Sequence, residues 1–124
     1  MNTGKLPEVN NGSPWPWPDS LDALAAAPAH HRLVLENDRV RVLDTRIPAG
    51  DVVPVHTHRW AAVYYTISPG DFVRRDGEGN VLFDTRIHSR PPAGGAWIES
   101  LPPHSVENVG DSEIHLISVE LKPA

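Results

Sequence analysis

With 124 residues the chain has room for one domain and no separate regulatory unit, and its 40% hydrophobic and 22% charged residues match a globular fold, not a disordered or membrane-spanning one. Lys and Arg number 11 against 16 Asp and Glu, a net charge of −5 with no basic run, which excludes a phosphate-backbone partner, so neither DNA nor RNA is expected. Cysteine is absent, which removes disulfides, thiolate nucleophiles and Cys-based zinc sites, and with neither an apolar leader nor a long apolar span the expected location is cytoplasmic, without a membrane partner.

Residues 1–31 read as an N-terminal arm and short helix, and 32–124 as a β-barrel domain. The arm runs from Met1 to Pro18 and ends in Pro14-Trp15-Pro16-Trp17-Pro18, where alternating proline forbids helix and favours an extended form. Its two indoles are expected to pack on the barrel or on a neighbouring subunit, with a lid over a pocket as the alternative. Asp19 or Ser20 can cap a helix from Leu21 to Ala27, which Pro28 stops. At about two turns it is too short to stand alone and is expected to lean its Leu21 and Leu24 side on the rest of the domain.

From Arg32 the pattern becomes short β-branched runs separated by Gly, Pro, Asn and Asp, the mark of an all-β antiparallel sandwich or barrel. Strands are expected at about 32–36, 39–47, 51–58, 61–67, 71–75, 80–86, 95–99, 104–108 and 113–121. Asn37-Asp38, Pro48-Ala49-Gly50, Ser68-Pro69-Gly70 and Asp76-Gly77-Glu78-Gly79 supply the turns between them. Ser89 to Gly95 is the long irregular segment of the second half, a candidate rim loop.

His56-Thr57-His58 places two imidazoles on one face of a strand, their backbones about 6–7 Å apart. They can converge on one metal ion or sit as surface histidines near a strand end. Around them the spacing runs Gly50, five residues, His56-x-His58, four residues, Val63, six residues, Gly70. This resembles the first cupin motif, G-x5-H-x-H-x3-4-E-x6-G, at every position except the glutamate. His104-Ser105-Val106-Glu107-Asn108 resembles the H-x3-N ending of the second motif, although the glycines and proline before that histidine differ, with Gly94-Gly95 and Pro102-Pro103 in their place. The resemblance covers about Arg32 to Leu121. It implies a single-domain jelly-roll β-barrel with a metal held by His56, His58 and His104.

Val63 stands where the family places its carboxylate ligand, so the implied site is three neutral histidines. An ion held this way keeps its full +2 charge and leaves open positions suited to an anionic chelating substrate and O₂. Three-histidine cupins include thiol, diketone-cleaving and ring-cleaving dioxygenases. The resemblance therefore implies iron(II) before Zn, Ni, Mn or Cu, and an Fe(II)-dependent dioxygenase acting on a small organic anion. The alternative is a non-catalytic cupin that binds or senses a small ligand, and metal-free isomerase or epimerase chemistry ranks third.

Tyr65, two residues beyond Val63, is expected inward, where its hydroxyl could orient substrate or donate a proton, or simply be a satisfied core group. Glu99 could hydrogen-bond a ligand histidine from behind, or face solvent. Arg74, Arg75 and Arg86 flank the hairpin and either bind a carboxylate substrate or form a solvated edge. His115 reads as a packed strand residue, His30, His31 and His88 as turn or strand-end residues, Asn108 as a turn stabiliser, and Trp60 as a pocket-mouth residue. The exposed edge and the Trp-bearing arm point to a homodimer.

Overall fold

Turn chemistry sets the strand ends. Gly50 has φ +83° and Gly79 φ +92°, left-handed conformations that a side chain resists, and both sit in turns between strands. Gly70 is required for a different reason: a Cβ there would lie 2.7 Å from Ile114 Cγ1, so the turn can close on the barrel wall only without a side chain. The computed structural model describes residues 15–124, and the part of the arm before Trp15 lies outside the described residues.

Nine strands follow in chain order among the described residues: β1 (His31–Glu36), β2 (Val40–Ile47), β3 (Val52–His58), β4 (Ala62–Ser68), β5 (Phe72–Asp76), β6 (Val81–Asp84), β7 (Gly94–Ile98), β8 (Leu101–Asn108) and β9 (Ile114–Leu121). They form two antiparallel sheets, a five-stranded one in the order β1-β2-β9-β4-β7 and a four-stranded one in the order β3-β8-β5-β6. Only β1–β2 and β5–β6 are hairpins within one sheet; every other link crosses between sheets, which is the all-β jelly-roll arrangement.

Three local expectations change. The helix is shorter than the sequence indicates: a 3-10 turn at Asp19–Leu21 is followed by α1 (Ala23–Ala26), because Asp22, not Asp19 or Ser20, caps it by accepting the Leu24 N–H at 3.0 Å. Its buried side is Ala23 and Ala27, whose small side chains let the backbone approach the barrel, while Leu21 and Leu24 are only half-buried. The sixth strand stops at Asp84, whose carboxylate accepts the Arg86 N–H and caps a helical turn, α2 (Thr85–His88).

β8 begins earlier than expected, at Leu101, despite Pro102 and Pro103. It pairs His58 with Leu101 and His56 with His104, so three steps on β8 match two on β3. The bulge lets two prolines stand in a strand without supplying ladder N–H groups.

Apolar packing concentrates on Ala27, Ile47, Val53 and Ile114, with Phe72, Val106 and Leu116 around them. Elsewhere buried polar and charged side chains outnumber buried apolar ones among the described residues, and they include His31, Arg41, His56, His104 and Glu120. Polar groups are expensive to bury, so such an interior marks a site more than a core.

Candidate metal centre

The space between the two sheets is a cavity of about 280 Å³, and four imidazoles line it: His31 from β1, His56 and His58 from β3, and His104 from β8. His31, His56 and His58 offer ligand nitrogens all within 4.8 Å of one another. His104 adjoins them, its ring centroid 4.3 Å from that of His56 and 5.7 Å from that of His58.

All four rings are held the same way, through Nδ1. His56 Nδ1 lies 2.8 Å from the Pro54 carbonyl oxygen, His104 Nδ1 2.7 Å from that of Pro102, and His31 Nδ1 3.0 Å from that of Ala27. His58 Nδ1 lies 2.9 Å from Glu120 Oε2. A carbonyl or carboxylate can only accept, so each Nδ1 donates and each neutral ring keeps its Nε2 lone pair unprotonated. His56 Nε2 and His58 Nε2 lie 3.2 Å apart, a contact that a proton on one ring satisfies as a hydrogen bond and that a metal ion bound by both lone pairs satisfies as a shared centre. Metal–nitrogen bonds of about 2.0–2.1 Å at tetrahedral or octahedral angles hold two ligand nitrogens roughly 2.9–3.4 Å apart, so the donor set fits a divalent ion.

Burial favours the neutral, lone-pair-bearing form of three of the four rings, His31, His56 and His104. Burial, reinforced by His58, pushes His31 down to about 4, and burial, again with His58, pushes His104 down to about 3. His56 is lowered further still, by burial first and then by the His104 and His58 rings beside it. Glu120 goes the other way from a lone buried acid. Burial raises its pKa, but hydrogen bonds and charge from His58 and Arg41 outweigh that and leave it lowered, hence ionised.

Behind His58 the support is continuous. Arg41 donates from Nε to Glu120 Oε1 at 2.6 Å and, through both terminal nitrogens, to the Asp22 carboxylate at 2.8 Å. Asp22 also caps α1, so the arm-proximal helix is tied to the His58 ring through two charged side chains.

The sequence-derived candidates divide sharply. His56, His58 and His104 meet in one cavity. Tyr65 does not: it is 58% exposed on the outer face of β4, and Val63 beside it is 46% exposed. The inward residues of β4 are Ala62, Tyr64 and Thr66, one residue out of phase with the expectation. Ala62 therefore occupies the inward position near the family's carboxylate, with three residues between it and His58, a spacing the motif also allows. Its cross-strand partner on β9 is Glu120, so a carboxylate is present after all, one strand over, holding His58 from behind.

That is also the role expected of Glu99, which instead stands exposed at the cavity mouth and accepts the Trp97 indole N–H at 2.5 Å. His31, set aside in the sequence as a turn residue, is 5% exposed and part of the cluster. Arg75 and Arg86 are edge residues paired with Glu107 and Asp84, whereas Arg74 lines the cavity. Asn108 ties a turn, donating to the Ile47 and Ser112 carbonyls and accepting from Gly110 N–H. His115 pairs with Asp44, and Trp60 lines the cavity. Trp15 and Trp17 pack edge to face on each other, half-buried, and neither lines the cavity.

One signal for the site was present in the sequence. Pro54-x-His56 and Pro102-x-His104 repeat the same P-x-H spacing, and in both the carbonyl two residues back receives the ring N–H at a point where the β3–β8 register shifts. For Glu120 and His31 no local pattern exists, since their partners are distant in the chain.

No protein-family model matches the chain, and no curated protein sequence matches it either. Solved structures do. A cupin domain from Bordetella pertussis Tohama I is 23% identical, with a TM-score of 0.63 over 75% of this chain and 92% of that one. An RmlC-like cupin family protein with a double-stranded β-helix fold from Methanocaldococcus jannaschii is 11% identical, with a TM-score of 0.54 over 74% and 78% of the two chains. A conserved protein with a double-stranded β-helix domain from Klebsiella pneumoniae is 24% identical, with a TM-score of 0.52 over 75% of each chain. The fold is the double-stranded β-helix of the cupins. No helix among the described residues is long and apolar enough to cross a membrane.

Proposed function

We propose that this cupin-fold chain is a metal-dependent enzyme, an Fe(II)-dependent dioxygenase acting on a small organic anion inside the barrel. The observation that carries the reading is the convergence of four imidazoles on one cavity, with His56 Nε2 and His58 Nε2 3.2 Å apart and both rings oriented through Nδ1. His56 and His58 form the central edge of the site, with His104 on one side and His31 on the other. His31 is an addition to the three-histidine set implied by the motifs, and it makes the donor set wholly neutral.

When bound, iron(II) supplies Lewis acidity and one-electron chemistry toward O₂. The protein's own part is positional. Pro54, Pro102, Ala27 and Glu120 fix the ring tautomers, and the largely apolar wall excludes water from the reacting groups. Because every ligand is neutral, the site retains a positive charge that draws an anion.

The test is oxygen uptake by iron-reconstituted protein offered thiol carboxylates, β-diketones and hydroxybenzoates. Uptake coupled to substrate loss, absent in His56→Ala, is the expected result. Tight retention of one of these compounds with no product would instead assign the barrel to small-ligand binding.

A further inference from the structure

Arg74 lies on β5 and is the only arginine or lysine lining the cavity among the described residues. Its Nε is buried with no hydrogen-bond acceptor, and no carboxylate among the described residues lies within ion-pair distance of its guanidinium. Neighbouring arginines are all accounted for: Arg75 pairs with Glu107 at 2.9 Å and Arg86 with Asp84 at 2.9 Å. The acids that line the cavity are engaged elsewhere, Glu99 by the Trp97 indole and Glu120 by Arg41 and His58. What surrounds Arg74 is aromatic. Its guanidinium carbon is 5.7 Å from the Phe72 ring centroid, and Tyr64 lines the same cavity.

A half-buried cation without a counter-ion is costly, and here burial holds the Arg74 pKa below the ordinary arginine value. Proteins keep such a group where a ligand completes it. The charge is also close to the histidines, since Arg74 pairs across β5 and β8 with Val106, two residues from His104, and the Arg74 and His104 side chains both line the cavity. An anion bound at Arg74 is therefore next to the proposed metal centre.

We propose that Arg74 is the anchor of a carboxylate subsite, and that the cavity takes a small molecule with one carboxylate and an apolar body. One guanidinium with a free N–H matches a single negative charge. Phe72, Phe83, Val106 and Ile114 offer the rest of the ligand an apolar wall, and about 280 Å³ is at the small end of ligand cavities. The subsite deepens the dioxygenase reading and rests on it only for the chemistry that follows binding.

The experiment uses the full chain in excess EDTA, so that metal plays no part, and compares benzoate with benzamide by thermal shift and calorimetry. Benzoate is expected to raise Tm and benzamide is not. In Arg74→Met the affinity for benzoate falls at least tenfold. That variant should fold with an unchanged or higher Tm, because it removes an unpaired half-buried charge. Should it fail to fold, Arg74→Lys keeps the charge without the planar fork and is expected to bind benzoate more weakly than the native chain. Equal responses to benzoate and benzamide, or undiminished benzoate binding in the variants, would overturn the subsite. A benzoate response that appears only after metal loading and ignores Arg74 would overturn it while leaving the metal centre standing.

Discussion

Glu120 is the residue on which most depends. It is 1% exposed, it accepts from Arg41 and His58 with its two oxygens, and no other acid of comparable burial lines the cavity among the described residues. Replacing it with glutamine keeps the shape but removes the charge facing Arg41 and leaves one acceptor oxygen for two donors, Arg41 and His58. Glu120→Gln is expected to cost about 3 kcal/mol of stability in urea titrations. The same change should weaken metal binding about 10- to 100-fold.

The buried histidines give a second expectation at this scale. The unfolded chain protonates His31 and His104 near 6.5, while the folded metal-free protein resists until about 4 and about 3. The unfolded state thus binds more protons throughout that window, and stability falls as pH drops below 6.5. Each ring contributes a loss on the order of 1–2 kcal/mol by pH 5, measurable as a shift of the urea midpoint between pH 7 and pH 5 in EDTA. Glu120 acts in the same direction at lower pH, since a lowered carboxyl gives its stabilisation above its ordinary pKa and loses it on protonation.

At the level of elements, the two motif glycines earn their places differently, and the difference is testable. Gly70→Ala drives a methyl against Ile114 and is expected to destabilise by about 1–3 kcal/mol, whereas Gly50→Ala meets open space and pays only for its left-handed backbone, about 1 kcal/mol. The ratio of the two, from denaturant unfolding, separates a packing cost from a backbone cost. Strands of this kind were legible because each is bounded by a turn with its own chemistry, and the H-x-H spacing survives on β3 because both rings lie on one face. What sequence could not supply was phase on β4. In Ala62-Val63-Tyr64-Tyr65-Thr66-Ile67 the outward set Val63, Tyr65 and Ile67 is more apolar than the inward set, so alternation points the wrong way. The reason is physical: the inner face of β4 borders an open cavity that also holds four imidazoles and Glu120, not a packed apolar core, and the usual apolar-in pattern is reversed. Helix α1 was misjudged for a related reason, since Asp22 serves both as its cap and as the carboxylate for Arg41 on β2, a partner 19 residues away.

Across the whole molecule the same reversal leaves an apolar row on the outer face of the five-stranded sheet. Leu35, Val42, Val119, Val63 and Trp97 are cross-strand partners in sequence from β1 to β7, with Leu35, Val63 and Trp97 each about half exposed. An uncharged row of this kind can match its own copy about a two-fold axis, and we propose it as the face of the homodimer expected from the sequence. Light scattering should give twice the 13.6 kDa chain mass for the native protein and the chain mass for Val63→Glu/Trp97→Glu; a native monomer would remove the dimer. The interior, by contrast, is organised around the four histidines, and everything said of function depends on their holding an ion. The deciding measurement is metal content by mass spectrometry after iron(II) loading and desalting, for the native chain beside His31→Ala and His56→Ala/His104→Ala. Near-equimolar iron in the native protein, clearly less in His31→Ala and none in the double variant is the expected result. Native protein that holds no metal at all, or a double variant that holds as much as the native chain, would contradict the metal centre.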